Sequence, residues 1–133
     1  MKEQRWGRII ASTSITVKQP LPALALSNVS RAGVIGFIKS LSVDLGPFNI
    51  TANAMAPGYI MTERVEQLLE SQARAQGISS EEALETVVRQ IPSGRVGLPG
   101  EFGALAAFIA SEQAAFINGE TVLIDGGMYR GLH

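Results

Sequence analysis

The run from Arg8 to Ile15, Arg-Ile-Ile-Ala-Ser-Thr-Ser-Ile, is short, β-branched and apolar before it turns hydroxylic, which predicts a strand entering a polar site. A loop with Pro20 and Pro22 follows. From Ser27-Asn28 the apolar residues Val34, Ile35, Ile38, Leu41 and Leu45 recur at helical spacing, and Gly46-Pro47 ends that helix. Small and apolar residues from Ile50 to Ala56 predict a second strand, stopped by Pro57-Gly58. Two amphipathic helices are expected next, from about Glu63 to Ala75 and from Ser80 to Ile91, split at Gly77 with Ser79 or Ser80 as N-cap. As a pair they read as a movable cover. A helix from about Glu101 to Ser111 then leads through the Asn118-Gly119 turn into a third strand, Thr121 to Asp125, closed by Gly126-Gly127.

The order strand, helix, strand, helices, strand points to a parallel sheet, because parallel neighbours need a crossover connection. In such sheets ligands collect at the carboxyl ends of the strands, where Ser14 and Pro57-Gly58 are expected to lie. Three strands make only part of a doubly wound sheet, and the first is apolar on both faces, as though a neighbour belonged beside it. The chain therefore reads as α/β, the C-terminal part of a doubly wound, Rossmann-like parallel sheet. It forms a single partial domain over residues 1–133, with an inserted helical cover at about 61–92. It carries no internal repeat, low-complexity tract or linker.

Composition narrows the chemistry. At 133 residues and 46% hydrophobic, the chain is long enough for one cored domain. Eleven Lys and Arg against twelve Asp and Glu leave a net charge of -1 with no like-charge block, which argues against nucleic acid as the main partner. Cys is absent and the lone histidine is the terminal His133, so no thiolate metal site, disulfide framework or His-based triad is expected. The apolar stretch Ala32 to Ile38 falls far short of the roughly 20 residues of a membrane span. Met1 to Arg5 leads straight into the first strand without a signal-peptide apolar region, so a soluble, cytoplasmic protein is expected.

The most informative feature is a set of spacings. Ser14 is followed by Ser27 and, one helical turn further on, by Arg31, the last two on one helix face. Then come Ala-Pro-Gly-Tyr-Ile-Met-Thr at 56–62, Ile-Pro-Ser-Gly-Arg-Val-Gly-Leu-Pro-Gly-Glu at 91–101 and Asn-Gly-Glu-Thr-Val-Leu-Ile-Asp-Gly-Gly at 118–127. This succession resembles the second half of the short-chain dehydrogenases/reductases, most closely the branch of bacterial 3-oxoacyl-acyl-carrier-protein reductases, over about residues 7–129. The resemblance implies an oxidoreductase that uses NAD or NADP to reduce a carbonyl or oxidise an alcohol, with hydride passing between nicotinamide C4 and the substrate carbon. It implies that Ser14 is the catalytic serine, which polarises the substrate oxygen. It also implies that Pro57, Gly58, Ile60 and Thr62 hold the nicotinamide carboxamide, and that the cover closes over an apolar small-molecule substrate. Without the family, Ser14 reads as a strand-end hydroxyl capping local backbone, and Pro57-Gly58 as a simple turn.

Two departures from the family pattern sit at its catalytic core. Ser27 stands where the family has the tyrosine of its Tyr-x-x-x-Lys motif, and Arg31 where it has the lysine. A phenol with a pKa near 10 can be brought toward neutrality by an adjacent ammonium, whereas an aliphatic hydroxyl titrates far too high. Arg31 can still donate to ribose hydroxyls, though guanidinium does not replace ammonium one for one. Ser27 otherwise reads as a helix N-cap, and Arg31 as a partner in a surface or structural ion pair. Tyr59 is a further source of a proton or a simple packing residue.

The family's Gly-x-x-x-Gly-x-Gly turn has no counterpart; Gly33 and Gly36 read as sites of close helix packing, and Gly94 and Gly97 as loop residues. The chain is therefore expected to be a fragment of a longer protein whose natural start lies upstream of Met1. Alone it would be inactive and bind NAD(P)H weakly. Any intact form is expected to be a homo-dimer or homo-tetramer through the Ser27 to Gly46 helix. Beside the oxidoreductase stand two other readings: a catalytically impaired nucleotide-binding or oligomerising module, and a truncated product without function.

Overall fold

The computed structural model describes residues 1–22 and 24–132, and the lone histidine, His133, lies outside them. Among the described residues one parallel sheet has the order β1-β2-β3, formed by β1 (Gly7–Ser12), β2 (Ile50–Pro57) and β3 (Thr121–Ile124). Crossovers run through α1 (Ala25–Leu45) between the first two strands, and through α2 (Glu63–Gln76), α3 (Ser80–Val88) and α4 (Pro99–Ala110) between the last two. The α/β class and the parallel order agree with the hydrophobic pattern.

Register sets where the strand ends fall. Gly7 to Ser12 pair with Ile50 to Met55, and Ala54 to Pro57 pair with Thr121 to Ile124, so β2 is central and its carboxyl end is flanked on both sides. Side chains alternate across a strand, which places Ala52 and Ala54 on one face, against Ile38 of α1. Their small side chains let the helix approach, with Ile9, Ala11, Ile35 and Leu41 closing the cluster. Helix α4 packs against β1 and β2 and contributes the buried Ile109. Strand β1 is paired on one side only.

Two asparagines lock the sheet. Asn53 is fully buried in β2; its Nδ2 donates to the Ile117 carbonyl at 2.8 Å and its Oδ1 accepts from the Glu120 amide at 3.0 Å. Asn118 answers from the other side, its Oδ1 accepting from the Ala52 amide at 2.9 Å and its Nδ2 donating to the Ser42 carbonyl at 2.9 Å. Asn118 thus supplies the acceptor that a strand would offer β2 before β3 has begun. Gly119, with φ 76°, donates its amide to the Ala52 carbonyl, and a Cβ there would meet Ser42 Oγ at 2.6 Å.

The boundaries differ from the sequence reading in instructive places. Strand β1 stops at Ser12 rather than Ile15, because the Thr13 amide and hydroxyl both donate to the Met55 carbonyl, at 2.8 and 2.9 Å, and the chain then turns into the 3-10 segment Ile15–Val17. Helix α1 starts at Ala25 with Leu24 as N-cap, not at Ser27; the first amides of a helix lack internal partners, and at this exposed end water can meet them in place of a hydroxyl cap. The Asn28 side chain secures the preceding loop by donating to the Leu21 carbonyl at 3.2 Å. Within this chain no heavy atom lies within 4 Å of a Cβ built on Gly33 or Gly36, so both positions are open to a helix from outside it. Ser79, with a full capping box to Glu82, opens α3, and Gly77 ends α2 in the left-handed region at φ 67°.

The α2–α3 pair has its own core of Leu69, Ala73, Ala83, Val87 and Ile91. Its exit loop is tied to α4 by a two-pronged ion pair, with Arg95 donating to Glu101 at 2.8 and 2.5 Å while Glu101 also accepts from the Leu98 amide at 2.7 Å. Hydrogen bonds from Arg95 and from the Leu98 amide hold the Glu101 carboxyl down to about 2 from the ordinary 4.5.

Two expectations follow. Asn53→Ala leaves the Ile117 carbonyl and the Glu120 amide without partners in a dry interior and lowers the unfolding free energy by about 2–4 kcal/mol; urea titration followed by circular dichroism measures it, and a loss below about 1 kcal/mol would remove Asn53 from its structural role. A depressed carboxyl pKa adds stability that is present above the unfolded value of 4.5 and is lost as pH falls toward 2. Glu101→Gln is therefore expected to destabilise at pH 7 and to cost progressively less below pH 4.5, as read from urea midpoints at pH 7 and 3; a pH-independent difference would refute the linkage.

Candidate active site

At the carboxyl ends of β1 and β2 the chain opens a cleft of about 820 Å³. It brings together every residue singled out for chemistry in the sequence: Ser14, Ser27 and Arg31 on one side, Pro57, Gly58, Ile60 and Thr62 on the other. The carboxyl-end placement follows from the parallel register, which ends both strands on the same edge.

Ser14 lies two residues past β1, half-buried and extended at φ -164°, ψ 158°, with its Oγ accepting from the Thr16 amide at 3.2 Å. The capping reading of this serine is thus observed as geometry. Because the oxygen accepts, its O–H remains available to donate into the cleft.

Ser27 corrects the N-cap reading. It sits inside α1, and its Oγ accepts from Arg31 Nε one turn later at 3.0 Å. Arg31 corrects the ion-pair reading: among the described residues it contacts no carboxylate, and its Nη1 donates instead to the Thr13 carbonyl at 2.6 Å. That bond crosses from the helix to the segment carrying Ser14. With Nε and one Nη1 proton committed, the outer edge of the guanidinium keeps further donors.

The loop after β2 carries the other half. Gly58 donates its amide to the Ile124 carbonyl at 3.0 Å, and a Cβ on it would meet Asp125 Cβ at 2.9 Å and Cα at 3.1 Å. Glycine is required there by the close passage of β3. Gly97 bridges the loop, donating to the Tyr59 carbonyl at 2.9 Å and accepting from the Met61 amide at 2.8 Å. The amides of Ile60 and Thr62 are left without a partner among the described residues, and the Thr62 side chain makes no capping bond to α2. Two free N–H groups and a hydroxyl on one rim match the acceptor and donor needs of a primary amide, so this half of the cleft fits a carboxamide. Tyr59 lines the cleft and packs against the core of the α2–α3 pair.

The periodicity did not reveal Arg64, Leu68 or Phe102, which also line the cleft. The signal for Arg64 is its place in the first turn of α2, two residues beyond Thr62.

Comparison with known proteins places this geometry. A family model described as enoyl-(acyl carrier protein) reductase matches residues 1–129. The chain belongs to the short-chain dehydrogenase/reductase family. Among its relatives it is similar to the NADPH-dependent reductase BacG of Bacillus subtilis, 37% identical over 132 residues, which are 99% of this chain and 51% of that protein. It is also similar to the 3-oxoacyl-[acyl-carrier-protein] reductase FabG of Rickettsia felis, 38% identical over 128 residues, 96% of this chain and 48% of that protein. The structure of L-sorbose reductase from Gluconobacter frateurii, complexed with NADPH and L-sorbose, superposes with a TM-score of 0.92 at 29% identity, covering 99% of this chain and 51% of that one. The chain thus spans about half the length of the dehydrogenase/reductase relatives it matches.

The Arg31 bridge generates a stability expectation. Arg31→Ala removes a charged hydrogen bond to the Thr13 carbonyl and is expected to cost about 1.5–3 kcal/mol, against under about 1 kcal/mol for Ser27→Ala. Urea unfolding of the two variants decides it, and equal costs would show that the bridge to Thr13 adds nothing.

Proposed function

We propose that this chain is the C-terminal, substrate-side part of an NAD(P)-dependent oxidoreductase that reduces a carbonyl compound or oxidises an alcohol, with residues 61–92 as the cover over the site. One observation carries this reading: a single cleft joins Ser14, Ser27 and Arg31 to the rim of Ile60 and Thr62, whose free amides and hydroxyl suit a carboxamide. The NADPH-dependent relatives support the choice of cofactor class.

In this reading Pro57, Gly58, Ile60 and Thr62 hold the nicotinamide end, and Arg31 donates from its open edge to the ribose. A nicotinamide bound there supplies or accepts the hydride. Ser14 donates its O–H to the substrate oxygen and thereby polarises the carbonyl. Ser27, its oxygen already accepting from Arg31, points its own proton at the cleft and relays one through water. An aliphatic hydroxyl is a poor general acid, so proton delivery is the slow part of this site.

Five apolar side chains on α1, Leu26, Val29, Val34, Phe37 and Val43, are exposed, and they support assembly of the intact protein into a dimer or tetramer through this helix. The engaged Ser27–Arg31 pair also favours a second reading, a nucleotide-binding module with little turnover.

The test uses a longer form with the nucleotide-binding half, and the four combinations of Ser27 or Tyr with Arg31 or Lys. With NADPH and a small ketone, Ser27→Tyr together with Arg31→Lys should raise the rate by about 10² to 10⁴-fold, the usual worth of a general acid, while either change alone should do little. A parent form already as fast as the double variant would show that another group delivers the proton. Inactivity of all four would favour the binding module.

A further inference from the structure

The cleft carries two guanidinium groups and, among the described residues, no carboxylate. This is unexpected in a chain whose acids outnumber its bases, 12 to 11. Arg31 is held by Ser27 and Thr13 with its outer edge open. Arg64, exposed on the first turn of α2, makes no hydrogen bond or ion pair among the described residues. The acids nearest in sequence are turned elsewhere: Glu63 accepts from Gln67 Nε2 at 3.1 Å, and neither it nor Glu66 lines the cleft. The rest of the wall is largely hydrocarbon, from Leu21, Leu24, Val65, Leu68 and Phe102.

We propose that the cleft selects carbonyl compounds bearing a carboxylate on an apolar body, with Arg64 as the cationic contact; that the compound is a carbonyl rests on the reductase function proposed above, and the anion preference does not. A cation without a carboxylate partner in a largely apolar cleft attracts an anion. A guanidinium matches a carboxylate in two-pronged geometry. The hydrocarbon beside Arg64 favours an organic acid over a bare phosphate, since Val65 and Leu68 offer a phosphate nothing.

The experiment measures binding by calorimetry on the 133-residue chain without cofactor. Probes are octanoate, its uncharged counterpart octanamide, and inorganic pyrophosphate as a mimic of dinucleotide phosphates. Octanoate should bind roughly tenfold more tightly than octanamide, and Arg64→Gln should cut that advantage to under about threefold. Arg74→Gln, in the last turn of the same helix and away from the cleft, should leave it intact. Equal binding of acid and amide overturns the proposal, as does an Arg64→Gln variant that keeps the full advantage. Displacement of octanoate by an equal concentration of pyrophosphate would assign Arg64 to the dinucleotide and overturn it too. Absence of turnover with any ketone would count against the reductase reading and leave these affinities unchanged.

Discussion

The site depends on how the central strand is held. Strand β2 has partners of unequal length: β1 covers it from Ile50 to Met55, whereas β3 reaches it only from Ala54 onward. Its first amides on the β3 side would be orphaned in a dry interior, and the Asn118 side chain meets one of them at Ala52. Asn53 reciprocates by holding both ends of the turn that leads into β3. Because β-register moves in whole-residue steps, this clasp fixes which residue of β2 stands at the sheet's upper edge. A slip by one would turn the Pro57–Thr62 loop away from Ser14.

The edge that carries Ser14 is itself cross-braced. From α1, Arg31 reaches the Thr13 carbonyl, while the Thr13 amide and hydroxyl both reach the Met55 carbonyl. Helix, first strand and central strand thus meet at one residue, immediately before Ser14. A guanidinium at this place brings rigidity and a fixed fork. The arginine therefore has an architectural part that any chemical part must share, and it plays that part at the lining of the cleft.

Much of the architecture was legible from period and punctuation. Val34, Ile35, Ile38, Leu41 and Leu45 gave α1, a run of small and apolar residues bounded by Pro57-Gly58 gave β2, and Gly77 with Ser79 marked the break between α2 and α3. What escaped was decided by tertiary geometry. Nothing local distinguishes Ser27 in a first turn from Ser27 as a cap, because the loop tethered by Asn28 sets the start. Asn53 reads as a small polar residue in a small-residue strand until its partners at Ile117 and Glu120, far along the chain, are known. Arg64 became visible only once α2 was oriented, since one turn of helix decides whether a side chain faces a cleft or water.

The outer side of β1 carries a further consequence. Alternate residues of Gly7–Ser12 present their backbone donors and acceptors to a side without a ladder partner among the described residues. Ile9 and Ile10 on that strand are only half-buried, so the edge is sticky as well as unpaired. Natural sheets blunt such rims with charge, proline or a covering element. Here the sole charge on the strand, Arg8, folds back to the Ser111 and Gly7 carbonyls rather than guarding the rim. Whatever extended segment lies beside β1 therefore doubles as a chaperone, and a chain left without one offers its rim to the next copy as a seed for aggregation.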